Sequence, residues 1–109
     1  MSNRIQTFEK FWDFYISQHM NPICRNLHIV GTSLAILCVI LAITISSYFV
    51  ILAPLVGYSF AWIGHFIFEK NKPATFSYPW WSFISDLKML FLTFIGRMDL
   101  EIQRIMNKI

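Results

Sequence analysis

From Ile29 to Phe68 the chain carries no Asp, Glu, Lys or Arg. Nothing else in the sequence restricts the fold as much. The stretch is dominated by Ile, Leu, Val, Ala and Phe, and its main polar interruption is Ser46-Ser47, followed by Tyr48. A helix that crosses a bilayer needs about 17–25 apolar residues. Ile29–Ile45 and Tyr48–Phe68 both reach that length. Hydrocarbon offers no water to bond, so each backbone group must be satisfied internally, which selects helices. The pattern predicts a transmembrane hairpin with a tight turn near Ser46-Ser47. His28 lies 18 residues before Ser46, and His65 lies 18 residues after Ser47. At about 1.5 Å of rise per residue, each imidazole sits about 27 Å from the tip. The two are therefore expected at one membrane depth and on one side.

Composition supports a membrane setting. Hydrophobic residues make up 56% of the 109 residues and charged residues 14%. A chain this short has too little interior for so much Ile, Leu, Phe and Trp, so the surplus is expected to face lipid. It reads as one domain, residues 1–109. The net charge of +3 is small, and every basic residue lies outside the uncharged stretch. That suits anionic headgroups, and no basic stripe points to nucleic acid. The first 28 residues lack an apolar core followed by a cleavage site, so no signal peptide is expected. Cys24 and Cys38 form no CxxC and are expected as free thiols. Arg4, Lys10 and Arg25 precede the hairpin, and Lys70, Lys72, Lys88, Arg97, Arg104 and Lys108 follow it. The positive-inside rule then places both termini in the cytoplasm. The membrane is the inner membrane in a bacterium or the endoplasmic reticulum in a eukaryote.

The flanks read as helices too, so the fold class is all-α: a two-helix transmembrane hairpin with interfacial amphipathic helices. Residues 4–19 place Ile5, Phe8, Trp12 and Tyr15 at spacings of 3 and 4, with His19 continuing the stripe. Asn21-Pro22 supplies an N-cap and a proline suited to the first helical position, so a helix is expected over 22–45. The second span is expected over 48–70, ending before Pro73 in a loop through Ala74. Gly31, Thr32 and Ala35 on one helix and Gly57, Ala61 and Gly64 on the other form small-residue faces that allow close approach. Both faces lead to a histidine. Residues 76–95 are aromatic and apolar but broken by Pro79, Ser82, Ser85, Asp86 and Lys88. They read as an interfacial or re-entrant helix anchored by Trp80-Trp81, with a third span as the competing reading. Met98, Ile102, Ile105, Met106 and Ile109 recur at helical spacing, which predicts an amphipathic helix to the C-terminus at residue 109.

The residues that could carry chemistry are His19, His28 and His65, with Glu69 and Asp86 nearby. His65 and Glu69 are i and i+4, which share a face of an α-helix. Three imidazoles with a carboxylate suit a divalent transition metal, and histidine plus carboxylate with open positions suits non-haem iron(II). No GxSxG, Gly-rich phosphate loop or HExxH is present. A scaffold with no metal and a haem protein with His28 and His65 as axial ligands are the competing readings.

The blocks His19-Met20-Asn21-Pro22, Asn26-Leu27-His28-Ile29-Val30-Gly31 and Gly64-His65-Phe66-Ile67-Phe68-Glu69, with Pro73-Ala74 after them, resemble a family of small membrane proteins. That family, formerly a domain of unknown function, includes a yeast Fe2+-dependent 2-hydroxy-fatty-acid α-dioxygenase of phytosphingosine breakdown. The resemblance covers about residues 8–95. It implies a long-chain 2-hydroxy fatty acid and O2 as substrates, Fe2+ as cofactor, and a product one carbon shorter. It further implies His19, His28 and His65 as iron ligands and catalytic residues. Glu69 matches the family's FE step, and its place i+4 from His65, not the resemblance, makes it a candidate fourth ligand. Arg25, one turn from His28, is a candidate partner for the substrate carboxylate, with positive-inside anchoring as the stronger competing reading. The lipid bilayer is the expected surrounding, with a homo-oligomer compatible with it and no nucleic-acid partner.

Overall fold

A computed structural model describes residues 4–73 and 76–108. The described residues form five α-helices and no strand: α1 (Phe8–Ser17), α2 (Pro22–Thr44), α3 (Phe49–Ile63), α4 (Pro79–Phe94) and α5 (Met98–Lys108). A π-helical segment, Gly64–Glu69, continues α3 without a break. Ala74 and Ile109, part of the expected loop and of the expected C-terminal stripe, lie outside the described residues.

α2 starts where its capping residues dictate. Asn21 Oδ1 accepts from the backbone N–H of Ile23 at 2.8 Å, and Pro22 occupies the first turn, where no donor is needed. Its 23 residues give about 34 Å of helix, enough to cross a hydrocarbon core. α3 and the π-segment together give a second apolar helix, Phe49–Glu69. Among the described residues these are the two helices long and apolar enough to span a membrane. Their outward faces stay uncovered: Ile43 is 80% exposed and Tyr48, at the turn, 81%. Water would penalise such a surface and lipid would not.

The two helices meet through glycine. A Cβ on Gly31 would lie 2.7 Å from Phe60 Cβ and 3.2 Å from the Gly57 carbonyl oxygen. A Cβ on Gly64 would lie 2.9 Å from Cys24 Sγ and 3.3 Å from Cys24 Cα. The small-residue faces are thus contact faces near both glycines.

The other helices gather at the base of the hairpin, away from the turn. α1 is shorter than the expected 4–19. Thr7 caps it, and Ile5 N–H instead donates to Tyr78 Oη at 2.9 Å, which holds the preceding residues extended. Phe11, Trp12, Tyr15 and Ile16 of α1 form a buried core with Met89 of α4 and Met98 and Ile105 of α5. Burying each of these apolar side chains contributes about 1.5–3 kcal/mol. Trp80 and Trp81 part company: Trp80 is 78% exposed, whereas Trp81 packs on Phe8 and Phe11. α4 ends in a glycine-based cap. Gly96 has φ +76°, its N–H bonds to Thr93 O, and Arg97 N–H bonds to Leu92 O at 2.8 Å. That turn reverses the chain and sends α5 back onto α1. There Arg104 pairs with Asp13 at 2.8 Å, and Trp12 Nε1 donates to Glu101 at 2.8 Å.

Candidate metal centre

Three elements bring the histidines together. His19 follows α1, one turn beyond Tyr15, and is fixed by its place in the aromatic stripe. His28 lies on the buried face of α2 and His65 in the π-segment. All three are buried: 0%, 4% and 1% exposed. Their ring centroids lie 4.4 Å (His19–His28), 4.4 Å (His19–His65) and 4.9 Å (His28–His65) apart, with planes near perpendicular. One ligand atom from each, together with Cys24 Sγ, falls within 4.8 Å of the others. The rings touch one another directly, which leaves no slot for a porphyrin between His28 and His65.

The hydrogen bonds orient the lone pairs. His19 Nδ1 lies 2.6 Å from the Tyr15 carbonyl oxygen and so donates to it, which leaves Nε2 as the free acceptor. His65 Nδ1 donates in the same way to Asn71 Oδ1 at 2.7 Å. Asn71 is itself oriented by donating Nδ2–H to Gln18 O at 3.3 Å. His28 Nε2 faces His19 Nε2 at 3.2 Å, and His28 Nδ1 is buried without a hydrogen-bond partner. Burial, reinforced by the neighbouring His28 and His65, pushes His19 well below the usual imidazole range. It is therefore neutral at pH 7, the form that ligates metals. Converging imidazole nitrogens, with the Nδ1 atoms of His19 and His65 tied to Tyr15 O and Asn71 Oδ1, are a donor set that suits a divalent cation, so the residues fit the metal they imply.

Two expected site residues lie elsewhere. The i, i+4 reading placed Glu69 beside His65 on an α-helical face. The π-segment has a wider turn, in which His65 O accepts from Lys70 N–H. The Glu69 carboxylate accepts from the backbone N–H of Asn21. It fixes the start of α2 and stands outside the imidazole group. Arg25 donates to the carbonyl oxygens of His19 and Met20 at 2.7 and 2.9 Å. It braces the chain that carries His19.

Asp86 of α4 is closer to the centre. Its Oδ1 lies 3.8 Å from His28 Nε2 and accepts a hydrogen bond from Tyr15 Oη. Burial pushes the carboxyl up to about 7, against the lowering effect of the Tyr15 hydrogen bond. Tyr15 is held far above its ordinary range by burial first and by Asp86 second. Its ring stacks on His19 at 4.1 Å. Tyr15 was traceable in the sequence, four residues before His19 on one stripe. Asn71 was not, because it reaches His65 from a loop that carries no periodic signal. Cys24 lies one turn before His28 and packs against Gly64, so its contact appears only once the helices are docked.

A cavity of about 460 Å3 opens from this centre. The imidazoles, Tyr15, Asp86 and Ser82 line one end, and mainly apolar side chains of α2, α3 and α4, with the aromatic Tyr58, Trp62 and Phe83 among them, line the rest.

Fold and site together define a class: an all-helical protein with two helices fit to cross a membrane and a buried three-histidine group at their base. The sequence model of the 2-hydroxy-palmitic acid dioxygenase Mpo1-like family matches residues 5–98, and the chain belongs to that family. No curated protein and no solved structure matches it.

Proposed function

We propose that the chain is a membrane-embedded iron(II) dioxygenase that shortens long-chain 2-hydroxy fatty acids by one carbon. The observation that carries the reading is the set of three buried imidazoles at the polar end of an otherwise apolar cavity. His19, His28 and His65 would hold the metal. Iron(II), when bound, supplies the one-electron and O2 chemistry that side chains lack.

The chain's own residues do the rest. The Tyr15 carbonyl and Asn71 fix the tautomers of His19 and His65, so that both present a lone pair inward. Asp86 stands at the cavity wall beside His28, where its carboxylate can take the proton of a substrate 2-hydroxyl, with Tyr15 holding it in place. The helix walls keep bulk water from the centre. With the carboxyl carbon leaving as carbon dioxide, the acid and O2 balance against the shorter acid and water, and no co-reductant is required.

The test is metal analysis and turnover on anaerobically purified protein. Wild type should bind iron(II) stoichiometrically and convert 2-hydroxy-palmitic acid to the acid one carbon shorter. His19→Ala, His28→Ala and His65→Ala should each lose both metal and turnover. Asn71→Ala removes only an orienting group, and should weaken metal affinity about 10–100-fold. Folded wild-type protein that binds no metal would overturn the reading in favour of a scaffold.

A further inference from the structure

The cavity wall has a regular order along the hairpin. α2 contributes His28, Thr32, Ile36 and Ile40, four residues apart, and so one stripe of one helix. α3 and the π-segment contribute His65, Ala61, Gly57 and Ala53 at the same spacing in the opposite direction. The helices are antiparallel, so His28 and His65 share one depth, and Ile40 and Ala53 share another nearer the turn. Between those depths the wall runs about 18 Å. Ser82, Phe83, Asp86 and Leu87 of α4 cover it at the imidazole end. Ile36, Ile40 and Tyr58 are each 38% or more exposed, so the groove is open along its flank to the hairpin's surroundings. The width is set by residues with little side chain, Ala35, Gly57 and Ala61, whereas the outward faces of both helices carry Leu, Ile and Val.

We propose that this groove is the binding track for a single acyl chain, which enters sideways from the bilayer. Its carboxylate end meets the imidazoles, and its methyl end lies beside Ile40 and Ala53. The inference rests on the dioxygenase reading for the identity of the head group and adds the position of the tail. A tail that leaves lipid for this groove exchanges one apolar surrounding for another. The groove therefore contributes alignment rather than affinity: it fixes which carbon stands before Asp86 and His28. The small residues are what keep the track open.

The test needs no turnover. Saturated fatty acids without a 2-hydroxyl, carrying a diazirine near the carboxylate, at mid-chain or at the methyl end, are photolysed with the full-length protein in lipid nanodiscs. Labelled residues are mapped by mass spectrometry. The proposal expects the near probe on the Thr32–Ala61 level and the methyl-end probe on the Ile40–Ala53 level. Label should fall on the inner stripe and not on Leu34, Leu37 or Ile51 at similar depths. Ala61→Trp should abolish mid-chain and methyl-end labelling of the stripe while the metal content stays at the wild-type level. If Ala61→Trp fails to fold, Ala35→Met is read in the same way. Label spread equally over inner and outer faces, or unchanged in a folded blocked variant, would overturn the track. Inner-stripe label from a protein that turns over no 2-hydroxy acid would keep the track and remove the dioxygenase reading. Turnover with outer-face label would do the reverse.

Discussion

At the scale of single residues, Asp86 offers a test that separates metal binding from the proposed chemistry. Asp86 is acidic, half-buried and shifted up to about 7, yet its one strong partner, Tyr15 Oη, favours its charged form. A group used only for packing would not need both. Asp86→Asn keeps the shape and still offers Tyr15 an acceptor, but it takes no proton. General-base catalysis of this kind contributes about 10²–10⁴-fold, so kcat should fall by at least the lower figure. Iron content should stay unchanged, because the three imidazoles are untouched. An Asn variant with wild-type kcat would remove Asp86 from the reaction. A variant that loses its metal would make Asp86 a ligand.

At the scale of helices, the glycines carry unequal loads. A Cβ on Gly57 would find Ala35 Cβ at 3.6 Å, ordinary contact, whereas one on Gly64 would meet Cys24 Sγ at 2.9 Å with backbone close behind. Gly57→Ala should be neutral or stabilise by about 0.4–1 kcal/mol, since the unfolded chain loses freedom. Gly64→Ala should cost about 1–3 kcal/mol through overpacking and should displace His65, its neighbour in the π-segment. Thermal unfolding in detergent, with metal affinity measured in parallel, distinguishes the two; equal effects would refute the asymmetry. The clamp of α5 on α1 depends on pH instead. Arg104 first, with Lys108 beside Asp13 and Trp12 beside Glu101, holds both carboxyls below their usual range. Unfolded, they take up protons at higher pH than when paired. The clamp is thus complete above the ordinary carboxylate range, about pH 4–5, and is lost as pH falls through the lowered values. Exposed pairs of this kind are worth about 1 kcal/mol or less each, so α5 should loosen before the hairpin does. Amide exchange in α5 should rise in acid, and Asp13→Asn with Glu101→Gln should erase that rise; unchanged exchange from pH 7 to pH 3 would contradict it.

For the whole molecule, the hairpin was legible because apolar runs of sufficient length have few alternative structures. The matching depth of His28 and His65 was legible because two rigid helices leave one turn. What stayed hidden depends on docking. The π-turn after Gly64 and the contact of Glu69 with Asn21 carry no periodic mark in the sequence. Asn71 reaches the centre from a loop that no periodicity relates to it, whereas Asp86 stood out as a lone acid in an apolar stretch and Cys24 shares the His28 face of α2. Orientation follows from charge. The turn between α2 and α3 contains no basic residue, while Arg25 and Lys70 stand at the two base ends of the hairpin and six of the nine Lys and Arg residues follow it. α1, α4 and α5 are packed together at that base, so they lie on one side. The positive-inside rule predicts that this side is cytoplasmic. A reporter inserted after residue 47 should then read as translocated, and one fused to the C-terminus as cytoplasmic. Adding several Lys residues at the turn should weaken or invert this preference, because the bias acts through Lys and Arg close to the span ends. Two reporters on the same side of the membrane would sink the two-span topology, and with it the proposed placing of the three-histidine group at the cytoplasmic face.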